Sequence, residues 1–343
     1  MTDKVRWGII GCGDVTEIKS GPGFQKATGS TLVAVMRRTA HLAKDYAKRH
    51  NIPTWYSDAQ SLIHDPQVDA VYIATPPGSH AQLARDVARA GKPCYVEKPM
   101  ARNSKECEAM IHAFREANQK LWVAYYRRAM PRFLKVKELI DNKTIGEITS
   151  IEFKFSSTTP QNADASKNAW RVSPEQSGGG LILDVGSHVL DILDYYFGKL
   201  TFISGKAKRQ NPNSLVEDYV EMRFLTENKI SGVTSWNFFS SHKEDLLKLT
   251  GTSGEIRFNF GSDDPISVQT SQGIELISIP NPAHVAQPLI QLITNELLGL
   301  GTCPSTATSA LRTQYIIDQA LSTYYGNRDL NFWENSTTWP GLK

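Results

Sequence analysis

The sequence predicts an α/β protein of two domains, the first with a parallel β-sheet and the second with a largely antiparallel one. Its 343 residues are about twice the length of a typical single domain. In the first third, short apolar runs alternate with helical segments, which is the pattern of βαβ units. After about Tyr125, strands with one polar and one apolar face predominate. We therefore predict domains at 1–124 and 125–343.

The elements of the first domain follow from apolar runs and their boundaries. A strand-length apolar run ends at a glycine or proline, and a helix begins at a capping residue. Gly91, for example, closes the helix that starts near Ser79. The predicted strands are 5–10, 31–36, 70–74, 93–96 and 121–124, and the predicted helices are 40–50, 79–92 and 104–118, with a short helix or loop in 19–30.

The second domain is predicted as α+β. A helix at 131–141 precedes the alternating strand "GEITSIEFKFSS", and "LILDVGSHVLDILDYYFG" is helical in its later part. Mostly β-structure follows over 200–279, and then two helices at 284–298 and 305–324.

Composition excludes several classes of function. The net charge is +3, with 38 basic and 35 acidic residues, and no basic cluster points to nucleic acid. The four cysteines lie far apart, which favours free thiols in a reducing cytoplasm over disulfides or a zinc site. We find no signal-peptide core and no membrane-length apolar run.

A glycine-rich turn follows the first strand. In "VRWGIIGCGDVT", Gly11 and Gly13 fit the G-x-G-x-x-G pattern, which lets backbone amides approach a pyrophosphate. We expect Asp14 and Val15 to border the same group. Thr16 stands where the third glycine would be, so the helix–strand contact is expected to be slightly wider.

The end of the second strand predicts the cofactor. A protein that binds NAD usually carries an acidic residue there for the ribose hydroxyls. This chain has Arg37 and Arg38 instead, and arginine binds a 2′-phosphate bidentately. We predict NADP. The alternative is that Arg37 stacks on the adenine or lies in solvent, in which case NAD would also serve.

Polar residues also follow each of the three remaining predicted strands of the sheet. They are "TPPGSH", "EKP" and "YYRR", and ligands bind beyond the carboxyl ends of parallel strands. Lys98, fixed between a strand and a proline, is predicted to point toward the nicotinamide. A surface salt bridge to Glu97 is the alternative, which the opposite directions of adjacent extended residues disfavour. A lone histidine such as His80 is more often structural.

A second candidate site lies in "GGGLILDVGSHVLDIL". Asp184 and His188 are four residues apart and would share a helix face, which Asp191 and Asp194 continue. A carboxylate one turn from an imidazole can orient it for acid–base chemistry. Zinc ligation and a purely structural His188 are the alternatives, and we predict no metal. The three glycines 178–180 allow close backbone approach.

Together these motifs resemble the Gfo/Idh/MocA oxidoreductases, the family of glucose–fructose oxidoreductase and inositol dehydrogenase. The resemblance rests on "GIIGCGDVT", "TPPGSHAQLARDVARAGKPCYVEKP", "WRVSPEQSGGGLILDVGSHVLDIL" and "PLIQLITNELLG…CPSTATSALRT". It implies a Rossmann domain and then an α+β domain with a large, mostly antiparallel open sheet. It also implies a homodimer or homotetramer formed through that sheet.

The resemblance also implies roles for individual residues. Lys98 would be the catalytic lysine, and Asp184 and His188 the catalytic acid and histidine. The residues implied to line the cofactor are Thr75, Pro76, His80 and Glu97. Those implied or suggested to face the substrate are Lys19, Tyr126, Arg128, Trp170 and Arg171.

The resulting hypothesis is an NAD(P)-dependent enzyme that interconverts a secondary alcohol and a carbonyl on a sugar, polyol or related small molecule. His188 would be the base and Lys98 would stabilise the alkoxide. One alternative is an NAD-dependent glycoside hydrolase on the same scaffold. Another is a non-catalytic regulator that senses the cofactor. The substrate loop, 158–177, has no readable specificity code.

Overall fold

The computed structural model describes residues 4–158, 169–329 and 331–343. The chain forms two compact units. Unit 1 contains Met1–Ala101, Lys105–Met130 and Pro282–Leu311, and unit 2 contains Arg102–Ser104, Pro131–Asn281 and Arg312–Lys343. Unit 1 thus runs a few residues past the predicted boundary at 124 and also includes a late segment, 282–311, which the sequence prediction gave to the second domain.

Unit 1 is built on a six-stranded parallel sheet. Its order is β3-β2-β1-β4-β5-β6, so the direction of strand succession reverses between β1 and β4, where open α/β sheets bind ligands. The sequence prediction missed β3, which is a short edge strand. The strands are β1 (Val5–Ile10), β2 (Ser30–Met36), β3 (Thr54–Tyr56), β4 (Ala70–Ile73), β5 (Cys94–Val96) and β6 (Leu121–Val123).

Unit 2 contains an eight-stranded sheet of order β14-β13-β12-β11-β7-β10-β9-β8. Most neighbours are antiparallel, and β7 with β10 is a parallel pair. The strands are β7 (Ile148–Ser156), β8 (Thr201–Lys208), β9 (Tyr219–Leu225), β10 (Ser231–Asn237), β11 (Glu244–Gly251), β12 (Gly254–Phe258), β13 (Ile266–Thr270) and β14 (Gly273–Ile277). The predicted fold class is confirmed.

The helices begin and end close to the predicted positions where the sequence carries clear signals. The segment 19–30 does hold a short helix. The helix that begins after Asp58 was not predicted; the Asp58 carboxylate caps it by accepting the Ser61 N–H. In chain order the α-helices are α1 (Asp14–Ile18), α2 (Gly21–Lys26), α3 (Ala40–Arg49), α4 (Ala59–Ile63), α5 (His80–Arg89), α6 (Ser104–Glu116), α7 (Pro131–Asp141), α8 (Pro174–Ser177), α9 (Ser187–Phe197), α10 (Gln287–Leu297) and α11 (Ala307–Tyr325).

The described residues also form short turns of other helical types. One π-helical turn, Ile182–Gly186, leads directly into α9. The 3₁₀ turns are Pro77–Ser79, Tyr126–Ala129, Ala169–Val172, Phe332–Thr338 and Pro340–Leu342. In the described parts of the chain we find no helix long and apolar enough to cross a membrane.

The unit 1 core lies on both faces of its sheet. Along β1, Trp7 and Ile9 belong to one buried cluster and Ile10 to another, as the alternation of strand side chains requires. Both faces are therefore apolar, which is the pattern of a parallel sheet covered by helices on its two sides. Thr75 and Glu97, which follow β4 and β5, belong to neither cluster.

The unit 2 core is aromatic on the inner face of its sheet. Trp236 of β10 is fully buried and packs against Phe153 of the neighbouring β7, with ring centroids 5.6 Å apart. Outward-facing residues of the same strands, such as Val233, are partly exposed. The alternation along β10 fixes its register, because a slip of one residue would bring Val233 inward and Trp236 to the surface.

Replacement of Trp236 by Ala should lower the free energy of unfolding by about 3–5 kcal/mol, because it leaves a large cavity in a packed core. The matched control is Val233→Ala on the outer face of the same strand, which should lower it much less, because the Val233 side chain is partly exposed and its loss leaves no cavity. Urea unfolding followed by tryptophan fluorescence and circular dichroism measures both variants. Equal effects of the two changes would contradict the described register.

Candidate active site

The residues that follow the strands of the unit 1 sheet lie along one edge of it, the edge at which the sequence predicts ligand binding. The strands of this sheet all run parallel, so the residues that follow them share one edge. Those residues include Gly11 after β1, Arg37 after β2, Thr75 after β4, Glu97 after β5 and Tyr126 after β6. This edge is the candidate cofactor and catalytic surface of unit 1.

Gly11 forms the tight turn that follows β1. Its φ is +92°, a left-handed conformation, and a Cβ there would lie 2.7 Å from Cγ2 of Thr75 and 3.0 Å from the Ala74 carbonyl carbon. Only glycine fits, because other residues would be strained and would clash. A Cβ on Gly13 would meet nothing closer than 3.9 Å. The turn is thus closed on the β4 side and open at Gly13, which fits a dinucleotide pyrophosphate.

Thr16 takes the place of the third fingerprint glycine. It is fully buried, its hydroxyl accepts the Gly13 N–H at 3.0 Å, and it donates to the Gly13 carbonyl at 2.8 Å. The Tyr46 hydroxyl of α3 donates to the Thr16 carbonyl at 2.7 Å. The threonine therefore fastens the turn from within. The predicted roles of Asp14, which is exposed, and of Val15 toward a cofactor stay predictions.

The two arginines after β2 differ in exposure. Arg37 is half-buried, and its Nη1 donates a long hydrogen bond of 3.4 Å to the Cys12 carbonyl within the glycine-rich turn. Arg38 is exposed. The strand end, residues 36–39, thus carries two arginines and no acidic residue in its sequence.

The Glu97 carboxylate is held by two donors. The Tyr72 hydroxyl donates to Oε1 at 2.5 Å, and the Lys98 backbone N–H donates to Oε2 at 3.1 Å. Burial raises the pKa of Glu97, and the charge of Lys98, the Tyr72 hydrogen bond and the charge of Lys19 oppose this rise. The ring of Tyr72 stacks on Tyr95 at 4.8 Å. Sequence reasoning missed Tyr72, since nothing separates it from an ordinary strand tyrosine.

His80 braces two of the turns. It is fully buried at the start of α5, with Nε2 2.7 Å from the Thr75 carbonyl oxygen and Nδ1 3.1 Å from that of Pro99 and 3.3 Å from that of Met100. Burial lowers the pKa of His80, and the carbonyl contacts oppose the decrease. The imidazole ties the turn after β4 to the turn after β5. A direct contact of His80 or Pro76 with a cofactor stays a prediction.

The remaining predicted residues of unit 1 lie around this edge in different settings. Arg128 is buried, and its Nη1 donates to the Pro304 carbonyl at 3.0 Å. The Arg127 guanidinium lies 5.2 Å from the ring centre of Tyr126. Lys19 is exposed at the end of α1. Roles in substrate binding for Lys19, Tyr126 and Arg128 stay predictions.

In unit 2, Asp184 lies in the π-helical turn and forms an ion pair with Arg171. The Arg171 guanidinium lies 4.6 Å from the ring centre of Trp170, a cation–π arrangement. Sequence reasoning named all three residues but did not predict that Arg171 pairs with Asp184. No local signal could have shown it, because a 13-residue separation has no regular geometry.

His188 is buried in the first turn of α9. Asp184, four residues earlier, lies in the π turn that precedes α9. A π turn is wider than an α turn, so the rule that residues four apart share one face of an α-helix does not apply to this pair. Asp194, which we expected in the same row, is bound by Arg312 through two hydrogen bonds of 2.7 Å. Across the described ranges, no group of three His, Cys, Asp or Glu side chains could hold a metal ion.

The π turn lies against the sheet of unit 2. A Cβ on Gly186 would approach Cε2 of Trp236 to 3.2 Å and Cδ1 of Ile182 to 2.2 Å. The turn therefore approaches the indole more closely than a larger residue would permit. Sequence reasoning placed Gly186 in its motif but could not predict Trp236, which is fifty residues downstream.

Two family models match this chain. The model for the oxidoreductase family with an NAD-binding Rossmann fold matches residues 5–125. The model for the GFO/IDH/MocA C-terminal domain matches residues 133–257.

Known proteins resemble the chain along nearly its whole length. An oxidoreductase of Formosa agariphila is 38% identical over 94% of this chain and 100% of its own. Levoglucosan dehydrogenase in complex with NADH and levoglucosan has a similar fold, with a TM-score of 0.82, 23% identity and coverage of 93% of this chain and 97% of its own. A 3-ketoreductase from Actinomadura kijaniata in complex with NADP gives a TM-score of 0.80 at 20% identity, with coverage of 93% and 97%.

The glycine-rich turn, the residues at the strand ends and the D-x-G-x-H segment thus occur in a chain that both family models match. The same chain aligns over 94% of its length with a 38% identical oxidoreductase. The resemblance predicted from the sequence is confirmed. This protein belongs to the Gfo/Idh/MocA family of oxidoreductases.

Proposed function

We propose that the protein is an NADP-preferring oxidoreductase that interconverts a secondary alcohol and a carbonyl on a sugar, a polyol or a related small molecule. The observation that carries the proposal is the Glu97–Lys98 turn. It lies on the sheet edge that also bears the glycine-rich turn. A relative of similar fold, levoglucosan dehydrogenase, binds NADH and levoglucosan. The sugar-like substrate class is inferred from that relative.

The nicotinamide accepts or donates hydride when it is bound. Lys98 would donate a hydrogen bond to the substrate oxygen and stabilise the developing alkoxide. His188 would take the hydroxyl proton, since histidine is the side chain that most often serves as a general acid–base catalyst. Asp184, which forms an ion pair with Arg171, would orient the polar groups of this segment. The role proposed for Lys98 is supported by its position next to Glu97, whose two carboxylate oxygens each accept a hydrogen bond.

NADP preference is supported by charge. Arg37 and Arg38 follow β2, where an acidic residue would repel a 2′-phosphate. Guanidinium groups bind phosphate through paired hydrogen bonds. Relatives of this fold bind either NADH or NADP, so the two arginines are the local feature on which the preference depends.

Self-association through the unit 2 sheet is proposed on its outer face. This face carries pairs of opposite charge, such as Glu152 with Lys154 at 2.6 Å and Lys206 with Glu221 at 3.0 Å. A surface on which positive and negative side chains are interspersed can be electrostatically complementary to the same surface of a second copy related by a two-fold axis. We propose a homodimer or homotetramer on this basis.

His188→Ala and Lys98→Met should each lower turnover by about 10²–10⁴-fold, the range of general acid–base catalysis. Cofactor affinity, followed by quenching of protein fluorescence, should be retained. The assay follows NADPH absorbance in both directions with a panel of sugars, inositols, dihydrodiols and small carbonyls. The matched controls are His64→Ala and Lys44→Met on the exposed surface, which should be neutral.

Near-normal turnover in both His188→Ala and Lys98→Met would reject the assignment. Release of a leaving sugar without net cofactor turnover would instead favour the glycoside hydrolase. Binding of cofactor with no turnover of any substrate class would favour the regulator.

Arg37→Ala should raise the Michaelis constant for NADPH by about tenfold or more and leave that for NADH within about threefold. A hydrogen bond to a charged group is worth about 1.5–3 kcal/mol. Arg85→Ala, an exposed arginine on α5, is the control and should change neither constant. A wild-type protein that clearly prefers NADH would refute the proposal.

Lys154→Glu should shift the protein toward the monomer, because it places like charges side by side on the outer face of the sheet. Light scattering coupled to size exclusion measures the mass. Lys44→Glu on α3 of unit 1 is the charge-matched control. A wild-type protein that is monomeric at all concentrations would rule out the association.

A further inference from the structure

The triglycine segment 178–180 lies just before the π turn that carries Asp184, and it is packed tightly on all sides. A Cβ on Gly178 would lie 2.5 Å from the Arg102 carbonyl oxygen, and one on Gly180 would lie 2.3 Å from the Glu217 carbonyl oxygen. Gly178 also has a φ of +88°. The segment is therefore a close-packed turn and not a flexible linker, and whatever packs against it determines where the next residues lie.

The amide end of this segment is held by a buried acid. Glu217 is completely buried, and both of its carboxylate oxygens accept the Gly180 N–H at 3.0 Å. The Tyr325 hydroxyl of α11 also donates to this carboxylate. A carboxylate removed from water is costly unless donors surround it. Here the backbone of the turn is one of those donors.

The carbonyl end of the segment is held by a buried arginine. Arg328 donates from Nη1 to the Gly178 carbonyl at 2.7 Å and from Nη2 to the Arg102 carbonyl at 2.8 Å, and its Nε binds Asp318 at 3.0 Å. The Arg328 guanidinium also lies 5.1 Å from the ring centre of Tyr325. The same tyrosine thus contacts both charged residues, and the acid and the base form one connected group.

We propose that Glu217 is a positioning residue which, with Arg328, clamps the triglycine turn and so fixes the Asp184–Arg171 pair and His188 for catalysis. The clamp acts on the backbone: Arg328 fixes the carbonyl of the first glycine and Glu217 fixes the amide of the third. Three residues lie between Gly180 and Asp184, and two of them, Ile182 and Leu183, are buried. A shift at Gly180 is therefore transmitted along a packed segment. The inference rests on the proposed function for its kinetic consequence only.

The clamp is also sensitive to pH. Burial raises the pKa of Glu217 to about 7, and the Tyr325 hydrogen bond, the charge of Arg328 and the Gly180 amide oppose the rise. The Tyr324 hydroxyl also lies within electrostatic range of it. Because the pKa is raised on folding, the stabilisation is complete below the unfolded value near 4.5 and is lost as the pH rises through about 7.

The main test compares two changes at one position. Glu217→Ala removes the acceptor of the Gly180 N–H and should lower kcat by about 10- to 100-fold with little change in cofactor KM, since small displacements of catalytic groups have effects of this size. Glu217→Gln keeps an amide oxygen for that N–H and should recover most of the loss. Between pH 4.5 and pH 7, the unfolding temperature of Glu217→Gln should also fall less than that of the wild type, because the variant has no group that titrates there.

Asp218 is the matched control, because it is the adjacent acid, is fully buried and accepts the amides of Gln210 and Asn211 at 2.7 Å each. Asp218→Asn and Asp218→Ala should lower the unfolding temperature and leave kcat within about threefold, since they release a different loop. Tyr325→Phe, which removes one donor and keeps the ring, serves if Glu217→Ala does not fold, and it should lower kcat in the same direction as Glu217→Ala.

Hydrogen exchange makes the test independent of any substrate. The peptide that contains Gly178–Gly180 should exchange faster in Glu217→Ala, or in Tyr325→Phe, than in wild type, and should not change in Asp218→Ala. Unchanged exchange, or equal loss of kcat in the Glu217 and Asp218 variants, would overturn the clamp. Faster exchange in a protein for which no substrate is found would support the clamp and count against the proposed oxidoreductase.

Discussion

Both units depend on a carboxylate that is withdrawn from water and must be hydrogen-bonded. In unit 1 the carboxylate is Glu97, which accepts the Tyr72 hydroxyl and the Lys98 amide. In unit 2 it is Glu217, which accepts the Tyr325 hydroxyl and the Gly180 amide. Each acid therefore fastens a stretch of backbone next to a candidate catalytic residue. An unsatisfied carboxylate in such a place would be too costly, so the turns have little freedom to move.

This arrangement separates the task of positioning from the task of chemistry. The carboxylate oxygens of Glu97 are engaged with a tyrosine and a backbone amide, while the neighbouring Lys98 side chain is partly exposed. The same division holds for Arg171 and Asp184, which remain partly exposed while Glu217 and Arg328 are buried. A reacting group must reach the substrate, whereas a group that holds the backbone works best in a low dielectric, where its hydrogen bonds are stronger.

The fold was predictable where the signal is local. The run Val5–Ile10 has the predicted strand bounds, and Pro131–Asp141 has the predicted helix bounds. The edge strand Thr54–Tyr56 was missed because three partly exposed residues carry no periodicity. The return of 282–311 to unit 1 was missed because it depends on tertiary packing, such as Glu296 with Lys120 at 2.6 Å. The order of polar residues along the sheet edge followed from parallel topology alone.

At the candidate site, the sequence indicated which residues carry reactive groups but not what holds them. Glu97, Lys98, Asp184 and His188 stand in recognisable short motifs. Their neighbours Tyr72 and Glu217 lie 25 and 37 residues from the groups that they bind, and side-chain contacts at such separations follow no spacing rule. The acid pair in "LVEDYV" was the one visible hint, since two acids beside an apolar strand must find donors.

The triglycine segment shows why a composition rule is ambiguous at such a site. A run of three glycines is typical of a flexible linker, yet the same run is required where backbone must approach backbone. Here a Cβ on Gly178 or Gly180 would lie within 2.5 Å of a carbonyl oxygen, so the absence of side chains serves contact and not mobility. The conformational entropy that glycine loses on folding must then be offset by the bonds to Arg328 and Glu217. This is why two oppositely charged side chains are buried beside a segment that has no side chains of its own.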